Sequence, residues 1–439
     1  MTVVTAPAGT WRGERQGEGW TFRGLRYARA DRFAPPEPVP PPGTTVDATR
    51  SGPGAPQTPS RLAAVMGAPA PVPPSEDCLR LTITTPDPQG SRPVLVWLPG
   101  GAYLTGSGEW NFYDGRRLSA EGDLVVVTVS YRIGALGYLY APGTSDGNLG
   151  LQDQLAALRW VQENVAAFGG DPDRVTLAGQ SAGAHSIAAL LGVPDAARLF
   201  HRAVLQSAPL GMPFIPPHAA ERTAGTFLEH LGTDPLTASV EQVLTAQART
   251  VIQLAGRFGL NTAPAFGPVA DAGPLPAPPA WHRALVRRAG QGLAVLLGTN
   301  RDEMRAFHLR HPLFTRVRAL PVIGDGLADR ARHRAQEKAF DGPNRQFADL
   351  LASSGADTYR YVFGRLAPDN PLGACHCAEL PLLLGDDAAW RDAPVLAGAP
   401  AAALAAAGTR MRSRWSAFVH GGAPGWPRHT PGAGAHPLP

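Results

Sequence analysis

The chain has 439 residues, of which 44% are hydrophobic, with 50 glycines, 45 prolines and a formal charge of +4. This length and apolar content suit one large α/β domain, or two or three smaller ones, with many turns, and they exclude a disordered chain. The basic residues are almost all arginines, with Lys338 the single lysine, and they are scattered without a long run, so the pI near 9.2 does not mark a nucleic-acid stripe.

The opening residues, MTVVTAPAGTWRGERQGEGW, hold neither a basic n-region nor an apolar h-region, so no signal peptide is expected there. No stretch reads as a membrane span. Three cysteines are too few for a disulfide framework. Together these favour a soluble cytoplasmic protein. Residues 31–78 are Pro-rich and weakly periodic, and read as loops hugging the surface. Continuous apolar runs at 94–98 and 124–129 predict strands buried on both faces. The first of them ends in Pro99-Gly100-Gly101. Leu151, Leu155, Leu158, Val161, Val165 and Phe168 recur at spacings of three and four, which predicts a helix stopped by Gly169 and Gly170.

Next comes FGGDPDRVTLAGQSAGAHS, residues 168–186. Residues 175–178 predict a short buried strand and residues 182–191 an Ala/Leu-rich helix. A strand can reverse into a helix in so few residues only through a sharp, strained turn, and Gly179 and Gly183 remove the side chains that would clash there. This is the Gly-x-Ser-x-Gly elbow, which lifts the hydroxyl of Ser181 above a sheet. Residues 202–208, 292–300 and 358–364 supply further strands. Strands alternating with helices predict a mostly parallel sheet covered on both faces. Residues 212–290 and 305–355 read as helical, forming a cap around the site. The Gly/Pro-rich tail after Gly421 reads as loose.

A serine hydroxyl needs a base to take its proton, and the base needs an orienting acid. In hydrolases with this elbow the acid follows the serine and the histidine follows the acid. Reacting groups of open α/β sheets lie beyond the carboxyl ends of strands. The turn after the strand ending at residue 300 carries Asp302 and Glu303, and the residues alone leave the choice between them open. His376, in a loop before an apolar run, is the candidate base. His185, one helical turn after Ser181, reads as structural. The backbone N–H of Ala182 at the helix start, and the small residues after Pro99, suit donors to a developing oxyanion.

The chain resembles the type B carboxylesterases, the group of bacterial para-nitrobenzyl esterases, mammalian carboxylesterases and cholinesterases. The likeness runs through FRGLRYA, SEDCLRL, VLVWLPGGAYLTGSG, VVVTVSYRIGALGYL, the long segment 147–183, LFHRAVLQSA, FGPVAD, GTNRDEM, CHCAELPLLLG and RWSAFVHGGAPGWP, in the family's order. It implies a single α/β-hydrolase domain over residues 1–439, with helical cap insertions near 212–290 and 305–355. It implies Ser181 as nucleophile, His376 as general base and acid, Glu303 as orienting acid, and Gly101, Ala102 and Ala182 as oxyanion-hole donors. It implies two-step acyl transfer on a small-molecule ester, with no cofactor, no nucleic acid and no membrane partner; it does not choose between monomer and dimer. Ser207 matches a serine that recurs near the site, with hydrogen bonding as its expected role.

Departures from the family are informative. Gln180 stands where a Glu usual to the family precedes the nucleophile, which predicts a preference for uncharged esters; the leading reading is a serine carboxylesterase acting on uncharged short- to medium-chain esters. Pro99 replaces a usual His and predicts an altered loop. Cys78 is retained where the family often closes a disulfide, but the matching partner position is Ala55, so that bridge cannot form. Residues 55–78 contain no Trp, Tyr or Phe, which argues against a choline-ester specialist holding its cation on an aromatic ring. Cys375 and Cys377 flank His376, but zinc sites usually draw on four ligands and no second cluster is visible, so both read as packing residues. Hydrolysis of carbamates or amides on the same triad is the alternative reading, with a non-catalytic binding protein of the same fold ranked below it.

Overall fold

The computed structural model describes residues 1–438 apart from 256–263, 309–310 and 321–322. An antiparallel ribbon opens the chain: β1 (Thr2–Ala6), β2 (Gly9–Gln16) and β3 (Gly19–Arg26), with the two-residue β4 (Val46–Asp47) alongside β2. Then come β5 (Arg80–Thr85), β6 (Arg92–Leu98), β7 (Val125–Val129) and the small pair β8 (Tyr140–Ala141) and β9 (Ser145–Asp146). β10 (Gly170–Gln180), β11 (Arg202–Gln206), β12 (Ala294–Asn300), β13 (Asp357–Phe363) and β14 (His436–Leu438) complete the set. The large sheet runs β1-β2-β3-β5-β7-β6-β10-β11-β12-β13-β14. From β7 to β14 every pairing is parallel, and β10 lies in its interior between β6 and β11.

Why these segments are strands is visible in their burial. Every residue of β7 and of β12 is buried, as both faces of a parallel sheet require. Successive side chains feed opposite layers. Val94, Val96 and Leu98 of β6 pack in one core with Leu151, Leu155, Leu158 and Ile187; Leu95 and Trp97 pack in the other with Trp415 and Phe418. The helices Leu149–Asn164 and Ala182–Leu191 cover the first face and the helix Ala401–Gly421 the second. Residues 31–78 hold only β4 and the four-residue helix Ala63–Met66, close to the loop reading.

Two differences from the expected elements have clear causes. The helix expected to start at Leu151 begins at Leu149, ends at Asn164 and tightens into a 3₁₀ turn over Val165–Phe168, closed by Gly169 at φ 79°. The tail after Gly421 is not loose. β14 adds to the sheet edge beside β13, Trp426 stacks on His436 at 4.6 Å, and Arg428 and His429 pair with Asp357 and Asp349. Glycine and proline content reports turn density there, while side chains spaced between the turns do the anchoring.

Two motifs lock to distant ones. Arg132 holds Asp153 through Nε and Nη2 at 2.9 and 2.7 Å, and its backbone N–H donates to the same carboxylate at 3.0 Å. Both residues are buried. Removing one partner of such a pair leaves an uncompensated buried charge, so Asp153→Ala is expected to destabilise the fold by roughly 3–5 kcal/mol. Urea denaturation of the two proteins measures this; a difference below about 1 kcal/mol would contradict it. Asn148 likewise donates to the carbonyls of Val269 and Ala272 and accepts from Val269 N–H, tying the start of the Leu149 helix to the FGPVAD stretch. Among the described residues, no helix is long and apolar enough to cross a membrane.

Candidate active site

Ser181 stands between the end of β10 and the helix Ala182–Leu191, with φ 54° and ψ −120°. That is a strained conformation for a residue with a Cβ, and it is held from both sides. Its N–H donates to Gln206 O of β11 at 2.9 Å, and its carbonyl accepts from His185 N–H at 2.9 Å. A Cβ on Gly183 would sit 2.1 Å from Leu98 O, so only glycine lets the elbow press against the end of β6.

His376 and Glu303 meet this serine from loops far along the chain. His376 Nε2 lies 2.7 Å from Ser181 Oγ, and His376 Nδ1 lies 2.6 Å from Glu303 Oε2. The other oxygen of Glu303 accepts from Asn300 N–H at 2.7 Å. A carboxylate accepts, so Nδ1 carries the ring hydrogen and Nε2 is left to accept the serine O–H. Ser181 is 8% exposed and His376 and Glu303 at most 1%, so the chain of bonds is nearly dry and opens outward at the serine.

Asp302, the other acid of this turn, is engaged elsewhere. Its carboxylate accepts from Arg365 and from Ala374 N–H and pairs with Arg305. Burial alone would raise its pKa, but the Arg365 hydrogen bond and the two guanidinium charges outweigh that and hold it below the usual value.

Around the elbow, Gly100 is packed so closely that a Cβ would stand 2.7 Å from Gln180 O and 3.1 Å from Ser181 Cβ. This brings the loop after β6 onto the serine. Pro99, the departure in that loop, accepts from Tyr131 hydroxyl at 2.7 Å. Among the described residues, the N–H groups of Gly101 and Ala102 have no acceptor in the protein. Ala182 N–H belongs to the first helical turn, whose donors helix geometry leaves free.

Gln180 is buried beneath this site. Its Nε2 lies 3.2 Å from His376 Nε2 and donates to Cys377 Sγ at 3.3 Å. Cys375 and Cys377 are free thiols in the second core, and Cys78 is a free buried thiol in the first. Among the described residues, no group of three or more His, Cys, Asp or Glu side chains is gathered to hold a metal ion. Ser207 differs from expectation. It follows β11 with φ 49°, and its Oγ has no hydrogen-bond partner among the described residues.

Some residues at the site are not singled out by their sequence pattern. Phe307 and Phe340 bring their rings to 5.2 and 5.4 Å from the ring of His376, from segments joined only by folding. Glu379, three residues after His376, is fully buried and accepts from Asn300 and Gln206. Burial, then the nearby Glu303 charge, push its pKa up. An acid inside the apolar run Cys377–Leu384 was a visible oddity.

His185 is buried, and burial pulls its pKa down to about 4, against a smaller upward pull from the Met212 carbonyl. The folded protein therefore keeps this ring neutral while the unfolded chain protonates it near pH 6.5. The unfolded state binds more protons between those values. Stability should fall as pH drops from about 6.5 to about 4, by on the order of 3 kcal/mol, and this contribution should then level off. Urea unfolding across that range should show a flatter profile for His185→Gln than for the natural protein; parallel profiles would contradict the assignment.

A parallel sheet with a serine elbow at the end of an interior strand, and with a histidine and an acid arriving from later loops, defines an α/β-hydrolase. The carboxylesterase family profile matches residues 1–314. A protein of Rhodococcus erythropolis named as a probable N-octanoylanthranilate hydrolase is 51% identical over 98% of this chain and 96% of its own length. The para-nitrobenzyl esterase of Bacillus subtilis is 33% identical over 88% of this chain and 83% of its own. Among solved structures, a thermophilic para-nitrobenzyl esterase superposes with a TM-score of 0.83 at 30% identity, covering 98% of this chain and 94% of the other. This chain belongs to the carboxylesterase family. It is a carboxylic ester hydrolase.

Proposed function

We propose that the protein is a serine carboxylesterase in which Ser181 is the nucleophile, His376 the general base and acid, and Glu303 the orienting carboxylate. The unbroken run of contacts from Ser181 Oγ through His376 to Glu303, at 2.7 and 2.6 Å, carries this reading. Ser181 attacks the ester carbonyl as its proton passes to His376 Nε2. Glu303 stabilises the imidazolium that forms. The N–H groups of Gly101, Ala102 and Ala182 hold the negative oxygen of the tetrahedral intermediate. His376 returns the proton to the leaving alcohol. Water, activated by the same imidazole, then frees the acid and restores Ser181.

The substrates we assign are uncharged esters of short to medium chain length. The amide at Gln180 supports the preference for uncharged esters, because a carboxylate there would favour cations; chain length is left to the ester panel below. The helices between 212–290 and 305–355 are assigned as the cap, supported by Phe307 and Phe340 against His376; residues 256–263, 309–310 and 321–322 lie outside the described residues. A cytoplasmic setting is supported by three buried free thiols with no disulfide among them.

A second reading is favoured by one specific observation. The 51% identical relative is named for hydrolysis of an N-octanoyl group on anthranilate, which is an amide. The same serine machinery can cleave an activated amide if His376 protonates the leaving nitrogen. One panel separates the readings: p-nitrophenyl esters of two to ten acyl carbons, alongside N-octanoylanthranilate, each with Ser181→Ala as control. Turnover of the esters with none of the amide sustains the first reading; a kcat/KM on the amide above that on every ester replaces it with the second. Failure of a serine-directed phosphonate to label the natural protein would overturn both.

Gln180→Glu is expected to raise the ratio of activity on cationic to neutral esters by about tenfold. A unit charge several ångströms from the acyl site is worth a few kcal/mol at an effective dielectric near 20, before screening. Kinetics on a choline ester and its uncharged carbon isostere measure this, and an unchanged ratio refutes it.

A further inference from the structure

His185 takes no part in the proton transfers assigned above, yet it sits one helical turn from Ser181 and is buried with both ring nitrogens engaged. Nε2 lies 3.0 Å from the carbonyl of Met212, and Nδ1 lies 2.9 Å from the hydroxyl of Tyr103. A carbonyl only accepts, so Nε2 carries the hydrogen. A neutral ring then has Nδ1 as acceptor, and Tyr103 must donate to it. The Tyr103 oxygen receives the Ser186 hydroxyl at 3.4 Å, and Ser186 receives Gln154 Nε2 at 3.3 Å. The bonds thus run in one direction, from Gln154 through Ser186, Tyr103 and His185 to Met212. They link the two helices that cover one face of the sheet to the loop after β6.

That loop is where the strain lies. Ala102 and Tyr103 are consecutive non-glycine residues in the left-handed region, at φ 55° and 61°. Each such residue costs on the order of 1–2 kcal/mol, so the surroundings must over-determine the conformation. Tyr103 supplies the restraints. Its carbonyl accepts from Gly134 N–H, its ring meets Tyr138 edge-on at 4.9 Å, and its hydroxyl is held by His185. Without the hydroxyl anchor, the two residues can relax toward ordinary φ values. The N–H groups of Gly101 and Ala102 would then turn away from Ser181.

We propose that Tyr103 and His185 act together as positioning residues, holding the strained Gly101–Ala102 turn so that its N–H groups face the oxyanion formed at Ser181. This rests on the serine mechanism assigned above and adds to it a pair of side chains that touch neither substrate nor nucleophile. The pair acts on the transition state, because the oxyanion exists only there, and not on the binding of the intact ester.

The experiment uses the full chain with p-nitrophenyl butyrate as substrate and an aliphatic trifluoromethyl ketone as a mimic of the tetrahedral adduct. Tyr103→Phe removes one oxygen; His185→Leu removes the acceptor; His185→Gln keeps an acceptor for Tyr103 and a donor for Met212. Losing a true oxyanion donor costs roughly a hundred- to thousandfold, so loosening two should cost about ten- to thirtyfold in kcat. Tyr103→Phe and His185→Leu should show that loss with KM changed less than about twofold, and should weaken the ketone in the same proportion. The double variant should be no worse than the poorer single one, and His185→Gln should recover most of the rate. A packing role would lower the melting temperature and leave kcat and the ketone untouched, and that result overturns the proposal. If His185→Leu does not fold, Tyr103→Phe decides alone. Failure of the serine mechanism is distinguishable: phosphonate would then fail to label natural protein, and both assignments would fall. Labelling at Ser181 with full kcat in Tyr103→Phe removes only the pair.

Discussion

Ser181→Ala is expected to lower kcat on p-nitrophenyl butyrate by about a millionfold while the protein folds as before. Loss of the nucleophile from a triad costs about as much as loss of all three members, because base and acid have nothing left to activate. The residue itself tolerates the change: among the described residues its side chain bonds only His376, and its strained backbone is held by Gln206 and by the elbow helix. A small remainder over the uncatalysed rate should persist, since the oxyanion donors and the substrate pocket remain. Single-turnover kinetics with phosphonate-treated protein as background give the measurement. Activity within about a hundredfold of the natural protein would mean that another group attacks the ester.

Glu303→Gln is expected to cost about ten-thousandfold in kcat with little change in KM. An amide at Oε2 can present its N–H to His376 Nδ1, which forces the ring hydrogen onto Nε2. Nε2 then points a donor at Ser181 and cannot take its proton. The geometry is kept and the tautomer is wrong. Asp302→Asn is the control. Asp302 answers to Arg365, Arg305 and Ala374 N–H, so its loss should lower stability by about 1–2 kcal/mol and leave the tautomer of His376 alone. Nitrogen NMR of the imidazole reads the tautomer directly, and kcat reads its consequence. Equal losses from the two substitutions would sink the distinction between these neighbouring acids.

Much of the frame could be read from the chain in order. The apolar runs of β6, β7 and β12 are continuous because both faces of the sheet are buried, and that pattern is local. The elbow is local too: a strand, three residues and a helix leave one way for the chain to turn, and the missing side chains at 179 and 183 mark it. The antiparallel ribbon β1–β3 carries no comparable mark. β2 alternates in burial, but β1 exposes Val3 and β3 buries the adjacent Thr21 and Phe22, and the ribbon's place follows from the pairing of β3 with β5, some 55 residues later. The tail misled because composition counts turns but not anchors; the contact of Trp426 with His436 and the pairing of β14 are made across the fold.

The chain alone suggested which residue types could do the chemistry and the order in which they come, because Ser181 and the Asp302–Glu303 turn each follow a strand end and His376 lies in a loop before an apolar run. Which of Asp302 and Glu303 points inward could not be read from one dimension. Adjacent side chains leave a turn in different directions, and only the arrival of Arg365 and His376 from later segments separates their surroundings. The same holds for Tyr103 and His185, ordinary residues 82 positions apart whose hydrogen bond exists only once β6 and the elbow helix are packed together. Long-range contacts of this kind depend on three-dimensional closure, and no period or spacing along a single chain encodes them.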